Sequence, residues 1–192
     1  VSKQIIAAFI VAITVVFASC KENEPDLYAN EKDTYFSLKH FALDEYSNYA
    51  LATNVFEKKT TVDGKVTDTA IMNIRKMDWD FIVNTFLKAD IGTHSFLGKY
   101  KFTQFDDNTD NTHDYMYIAY DKNAYTQKLL ITTDLATNKV RGLYIETDEH
   151  SLLKDVHQKL FYAPMSIIQI QQDENPLVGK KTHTVIEYDV KG

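Results

Sequence analysis

The chain has a single cysteine, Cys20, so no disulfide can form within it and its stability must come from its core. Its six glycines and three prolines leave little room for a phosphate cradle. No Gly-x-Ser-x-Gly elbow, phosphate loop or dinucleotide fingerprint occurs. The six histidines (His40, His94, His113, His150, His157 and His183) never fall at His-x-x-x-His or Glu-x-x-His spacing. With no second cysteine, a structural or catalytic zinc site has no support. Basic residues are outnumbered, and the formal net charge is −6. That balance argues against nucleic acid, and against attraction to anionic headgroups other than through an acyl anchor. Adjacent carboxylates such as Asp106/Asp107 and Asp173/Glu174 are ordinary in acidic loops and do not by themselves suggest glycosidase chemistry. His150 beside Ser151 is likewise no triad, because a triad is defined by geometry.

Long apolar runs are also scarce, and the one present is N-terminal. Lys3 precedes it, and Ala18-Ser19-Cys20 closes it before the polar stretch Lys21-Glu22-Asn23-Glu24. The run from Ile5 to Ala18, about fourteen residues, is short of the roughly twenty needed to cross a bilayer as a helix. A charged, then apolar, then small-residue order is that of a secretory signal peptide.

Phe17-Ala18-Ser19-Cys20 resembles the lipobox of bacterial lipoproteins, with Phe17 where Leu is usual. The resemblance implies that residues 1–19 are a signal peptide cut off before Cys20. It also implies a diacylglycerol on the Cys20 sulfur and an acyl chain on the new amino group, enough chains for stable membrane anchoring. Cys20 is then a thioether and not a nucleophile. Lys21-Glu22-Asn23-Glu24 is similar to the charged tag that follows the lipid cysteine in surface lipoproteins of Bacteroidetes-type bacteria. The resemblance therefore implies an outer-membrane address, facing either the cell surface or the periplasm. Residues 20–33 read as the lipidated cysteine and a polar tether of up to roughly 40 Å. Residues 34–192 read as a single globular domain.

That domain is rich in Tyr, Phe, Thr, Val and Ile in short alternating runs. The pattern predicts a β-rich α+β fold, an antiparallel sheet of about eight strands covered by a helix. The candidate strands are Tyr49–Thr60, Val66–Arg75, Lys99–Phe105, Asp114–Tyr120, Gln127–Thr133, Lys139–Thr147, Ser166–Gln171 and Thr182–Val190. Asp63-Gly64 is a two-residue hairpin signal, and Asn138 suits a left-handed turn. A helix is predicted over Asp78–Asp90, with Asp78 as N-cap and an apolar stripe of Trp79, Ile82, Val83, Phe86 and Leu87. Residues 151–161 fit a second helix with His157 on its apolar side; Lys159–Tyr162 fits a strand equally well.

Two constellations stand out in the domain. Asp106, Asn108 and Asp110 alternate like the first ligands of a calcium loop, but Asn111 stands where that loop wants Gly and Tyr117 where it wants a bidentate Glu. A solvated strand connection explains the cluster more simply. Tyr115 and Tyr117 share one face of a strand; exposed, they would form an aromatic platform for a sugar or a protein, and buried, an ordinary sheet interior. The expectation is a non-catalytic lipoprotein without cofactor or metal, a binding or accessory module for a protein or other ligand, and a basic partner would suit its acidity. The alternatives are an envelope hydrolase acting on glycan or peptide and a structural accessory of an outer-membrane complex. A concave pocket gathering a histidine with two carboxylates would favour the hydrolase.

Overall fold

The structure, a computed structural model, describes residues 35–191, so the expected lipidation of Cys20 and the tether lie outside the described residues. Nine antiparallel strands form one sheet. They are β1 (Val55–Val62), β2 (Lys65–Asn73), β3 (Tyr100–Asp107), β4 (Thr112–Ala119), β5 (Thr126–Asp134), β6 (Val140–His150), β7 (Lys154–Ala163), β8 (Ile167–Pro176) and β9 (Thr182–Lys191). Their spatial order is β2-β1-β9-β8-β7-β6-β5-β4-β3. The fold is β-rich α+β, as the alternation predicts, with nine strands where about eight are expected.

The strands β3 to β9 run as a meander, and β9 then pairs with β1. The β2–β3 connection therefore has to cross from one edge of the sheet to the other. That is eight strand spacings, or about 38 Å along the sheet. It crosses one face, carrying α2 (Trp79–Leu87) and two short 3-10 turns, Ile74–Lys76 and His94–Phe96. A further helix, α1 (Leu38–Leu51), precedes β1 and packs against α2.

Residues opposed in an antiparallel ladder share a face. Phe56, Leu129, Ile131, Leu143, Ile145, Leu160, Tyr162, Ile168, Ile170 and Tyr188 all fall on the helix-covered face and are buried there. Ile82 and Phe86 of α2 and Leu38 and Tyr49 of α1 complete the core. Trp79 joins the two helices: its ring lies 5.0 Å from that of Tyr49, and its indole N–H donates to the Ile74 carbonyl at 2.9 Å.

Local signals explain much of this. Asp63 and Gly64 take φ of 48° and 77°, the left-handed pair that a tight hairpin turn needs. Asp78 caps α2 by accepting the Phe81 N–H, and Asn138 has φ of 57°. Two stretches depart from expectation. Residues 49–51, placed at the start of the first strand, end helix α1 instead. Its inward stripe runs Leu38, Phe41, Ala42, Glu45, Tyr49, and the carboxylate in mid-stripe hides the helical period. Residues 154–163 are strand β7, so the helical reading of 151–161 is corrected. Val156, Leu160 and Tyr162 alternate inward, and a strand on each side supplies the backbone partners. His157 consequently faces away from the helices.

Candidate functional site

At the level of β6 to β9 the covered face changes character along the strands. Leu143 and Ile145 give way to Thr147 and Glu149; Tyr162 and Leu160 to Gln158; Ile168 and Ile170 to Gln172 and Glu174; Tyr188 and Ile186 to Thr184. Four neighbouring strands thus turn polar beyond the buried apolar belt, with Val156 of β7 the one apolar side chain at that level. Helix α2 lies along this boundary. Its Ile82 and Phe86 pack inward, while Asp80, Asn84 and Lys88, spaced at i, i+4 and i+8, border the polar side. Between helix and sheet is an open cleft of about 630 Å³. That volume is in the range of small-molecule sites. Its walls are Asp80, Phe81, Asn84, Thr85 and Lys88 from the helix side, and Tyr125, Glu149, Val156, Gln158 and Gln172 from the sheet, with Ser151 and Lys154 at the β6–β7 turn.

A connected polar network holds these side chains. Lys88 Nζ donates to Glu149 Oε2 at 2.6 Å and stands 4.5 Å from the Tyr125 ring centroid. The Tyr125 hydroxyl donates to Gln158 Oε1 at 3.4 Å, and the Gln158 amide donates to Gln172 Oε1 at 2.9 Å. The Gln172 amide reaches Glu174 at 3.4 Å, and Lys154 Nζ donates to the same carboxylate at 2.8 Å. The hydrogen bond that Lys88 donates to Glu149 raises its pKa above the ordinary lysine value, and the Tyr125 phenol adds to it, so this ammonium stays charged. Both lysines are matched by carboxylates. The cleft therefore offers orientated amides, a phenol and ion-paired groups, a lining suited to a ligand with several hydroxyl or amide groups.

The opposite, uncovered face carries a second cluster. Asp148, His157, Asp173 and His183 oppose one another in register on β6, β7, β8 and β9. His157 Nδ1 lies 2.6 Å from Asp148, His183 Nδ1 2.7 Å from Asp173, and His150 Nδ1 3.0 Å from Asp155. Asp63 ends the row by accepting the His183 backbone N–H at 2.9 Å. The hydrogen bond to the Asp155 carboxylate raises the pKa of His150, with the fields of Asp155 and Asp148 adding to it. A groove of about 520 Å³ runs along this cluster. Among the described residues, no three His, Cys, Asp or Glu side chains are placed to hold a metal ion together.

The residues singled out from sequence lie elsewhere. Tyr115 and Tyr117 do share a face, but it is the covered one. Tyr117 is only 7% exposed, its ring 5.1 Å from Tyr35 and 4.9 Å from Phe102, and Tyr115 packs on His113. Tyr117 is no exposed platform, because Tyr35 before α1 and Phe102 of β3 cover it; Tyr115 is half-buried beside Phe102. The calcium-like trio is not assembled either. The Asp106 carboxylate is bonded to His113 Nδ1, and the Asp110 carbonyl accepts from Arg141. The turn is organised by Asp107, whose carboxylate accepts the N–H groups of Thr109 and Asp110. Those two hydrogen bonds hold the Asp107 pKa below its ordinary value. The cleft residues carried no motif because they come from three strands, a helix and two connections between strands. Their sequence trace is that polar side chains replace apolar ones at the inward positions 149, 158, 172 and 174.

Comparison of the chain with protein-family models, with curated proteins and with solved structures finds no match. Among the described residues no helix is long and apolar enough to cross a membrane.

Proposed function

We propose that this protein is a lipid-anchored envelope lipoprotein of the outer membrane acting as a non-catalytic binding module, with the cleft beside α2 as its ligand seat. The observation that carries the binding reading is the cleft itself. Its side chains are held in one arrangement by the Lys88–Glu149 and Tyr125–Gln158–Gln172 contacts before any ligand arrives. Preordered polar groups lower the entropic cost of binding. The ligand class they suit is a small, neutral, hydroxyl- or amide-rich molecule. The anchor rests on Phe17-Ala18-Ser19-Cys20. Saturation-transfer NMR against mixtures of sugars and amino acid amides tests the seat. A ligand whose signal is lost in Gln158→Ala supports it; a signal unchanged by that substitution sinks it. Radiolabelled palmitate tests the anchor: uptake that persists in Cys20→Ala would refute lipidation there.

The outer-face groove favours a second reading, an envelope hydrolase. A histidine whose Nδ1 is held by a carboxylate can act as a base through Nε2, and His157 with Asp148 has that form. Hydrolysis of a glycan or peptide substrate that survives His157→Ala unchanged would remove this reading.

A further inference from the structure

Four aliphatic side chains stand almost free in water at one end of the sheet. Leu152 and Leu153, at the tip between β6 and β7, are 94% and 76% exposed; Leu177 and Val178, between β8 and β9, are 76% and 88% exposed. The two tips are neighbours, since the Leu177 N–H donates to the Leu153 carbonyl at 2.7 Å. The first tip is also pinned internally. Ser151 Oγ accepts the N–H groups of Leu153 and Lys154 at 3.3 and 3.1 Å and donates to the Lys154 carbonyl at 2.7 Å. An ordered backbone thus holds the leucines outward. Exposed apolar residues scattered singly are ordinary, but a contiguous set marks a contact surface.

We propose that this double tip enters a phospholipid bilayer, so that the domain touches the membrane by a second point besides its lipid. Three observations select lipid as the occupant. The contact groups are all aliphatic and sit at hairpin ends, a shape that an acyl-chain layer accommodates without a complementary pocket. Lys180 and Lys181 follow directly on Val178-Gly179 and are exposed, so their stems can lie along the interface with the ammonium groups at lipid phosphates. The lipobox resemblance implies a lipid on Cys20, and the polar stretch after it reads as a tether of up to roughly 40 Å, which confines the domain near a bilayer. The acidity of the whole chain opposes long-range attraction to anionic lipid, but aliphatic burial at the tips does not depend on net charge. The cleft has Ser151 and Lys154 in its wall, so it reaches this end of the sheet.

Depth-dependent quenching tests the proposal on the full chain. In a Cys20→Ser background, Leu152→Cys carries an environment-sensitive fluorophore, and Ala136→Cys, in the β5–β6 turn at the opposite end of the sheet, is the control. The vesicles are phosphatidylethanolamine and phosphatidylcholine with nitroxide on the acyl chains. The Leu152 label should be quenched several-fold more than the Ala136 label. Adding Leu153→Ser, Leu177→Ser and Val178→Ser should lower that quenching about ten-fold. Because these side chains lie outside the core, an unchanged circular dichroism spectrum is expected. A second variant, Lys180→Glu with Lys181→Glu, should weaken quenching more modestly. Equal quenching at the two labelled sites overturns the proposal. So does shielding of the Leu152 label that rises with protein concentration without vesicles, which would assign the tips to a second copy. No lipid is attached to Cys20 in this assay, so its failure leaves the anchor reading to the palmitate test.

Discussion

The Tyr162 hydroxyl links the sheet to helix α1, and removing it should loosen that helix by a measurable amount. Tyr162 of β7 donates to the Glu45 carboxylate of α1 and lies 3.1 Å from the Tyr49 hydroxyl, which accepts the Met165 N–H at 2.8 Å. Tyr162→Phe keeps the ring, and with it the edge contacts to Phe41 at 5.6 Å and Phe86 at 6.3 Å. Only the hydrogen bonds are lost. A bond to a charged acceptor contributes about 1.5–3 kcal/mol. Glu45 is half-buried, so water partly replaces the phenol and the low end applies, about 1.5–2 kcal/mol. For a domain of this size the melting temperature should fall by roughly 4–7 °C. Urea unfolding should show a lower midpoint at unchanged slope. In a double-mutant cycle with Glu45→Ala, the pair should couple by about 1 kcal/mol. A Tyr162→Phe protein within about 0.5 kcal/mol of the parent, or a coupling near zero, would refute the claim that this hydroxyl holds α1.

Alkali should act on the same region. Burial pushes the phenols of Tyr49 and Tyr162 up, and that of Tyr100 up to about 12. The unfolded chain therefore loses these protons first. Stability from these groups is full below the ordinary tyrosine value of 10.0 and declines above it; phenolate absorbance should show part of the tyrosines ionising only with unfolding. His150 behaves in the same direction at lower pH. Its pKa is raised from 6.5 by Asp155, so the pair's contribution is present below that value and lost as pH rises through the folded one. NMR titration should show the His150 midpoint fall in Asp155→Asn, and an unmoved midpoint would discard the pair. Gly92→Ala places a Cβ 2.6 Å from the Ser37 Cα and 2.8 Å from its Cβ, at the start of α1. Backbone must shift, at a cost of about 1–3 kcal/mol, and thermal melting within error of the parent would contradict the close approach.

Local features were legible because their causes are local. The Asp63-Gly64 hairpin, the Asp78 cap, the stripe on α2 and the alternation of β9 each depend on residues a few positions apart. Helix α1 was not legible, because Glu45 sits in its inward stripe and is bonded across to the sheet by Tyr162, more than a hundred positions away. Strand β7 was ambiguous because Val156, Leu160 and Phe161 satisfy a helical period as well as a strand; a paired strand on either side decides for the strand.

The sequence by itself determined a β-rich α+β domain with antiparallel hairpins and a capped, amphipathic helix, because side-chain period and turn chemistry record which face a residue takes. It could not determine which strands are neighbours. Strand pairing alone sets Gln158 beside Gln172, aligns Asp148, His157, Asp173 and His183 in one row, and brings Leu153 against Leu177. Those alignments arise from backbone pairing between segments distant in sequence, and a side chain's own neighbours in the chain carry no trace of them.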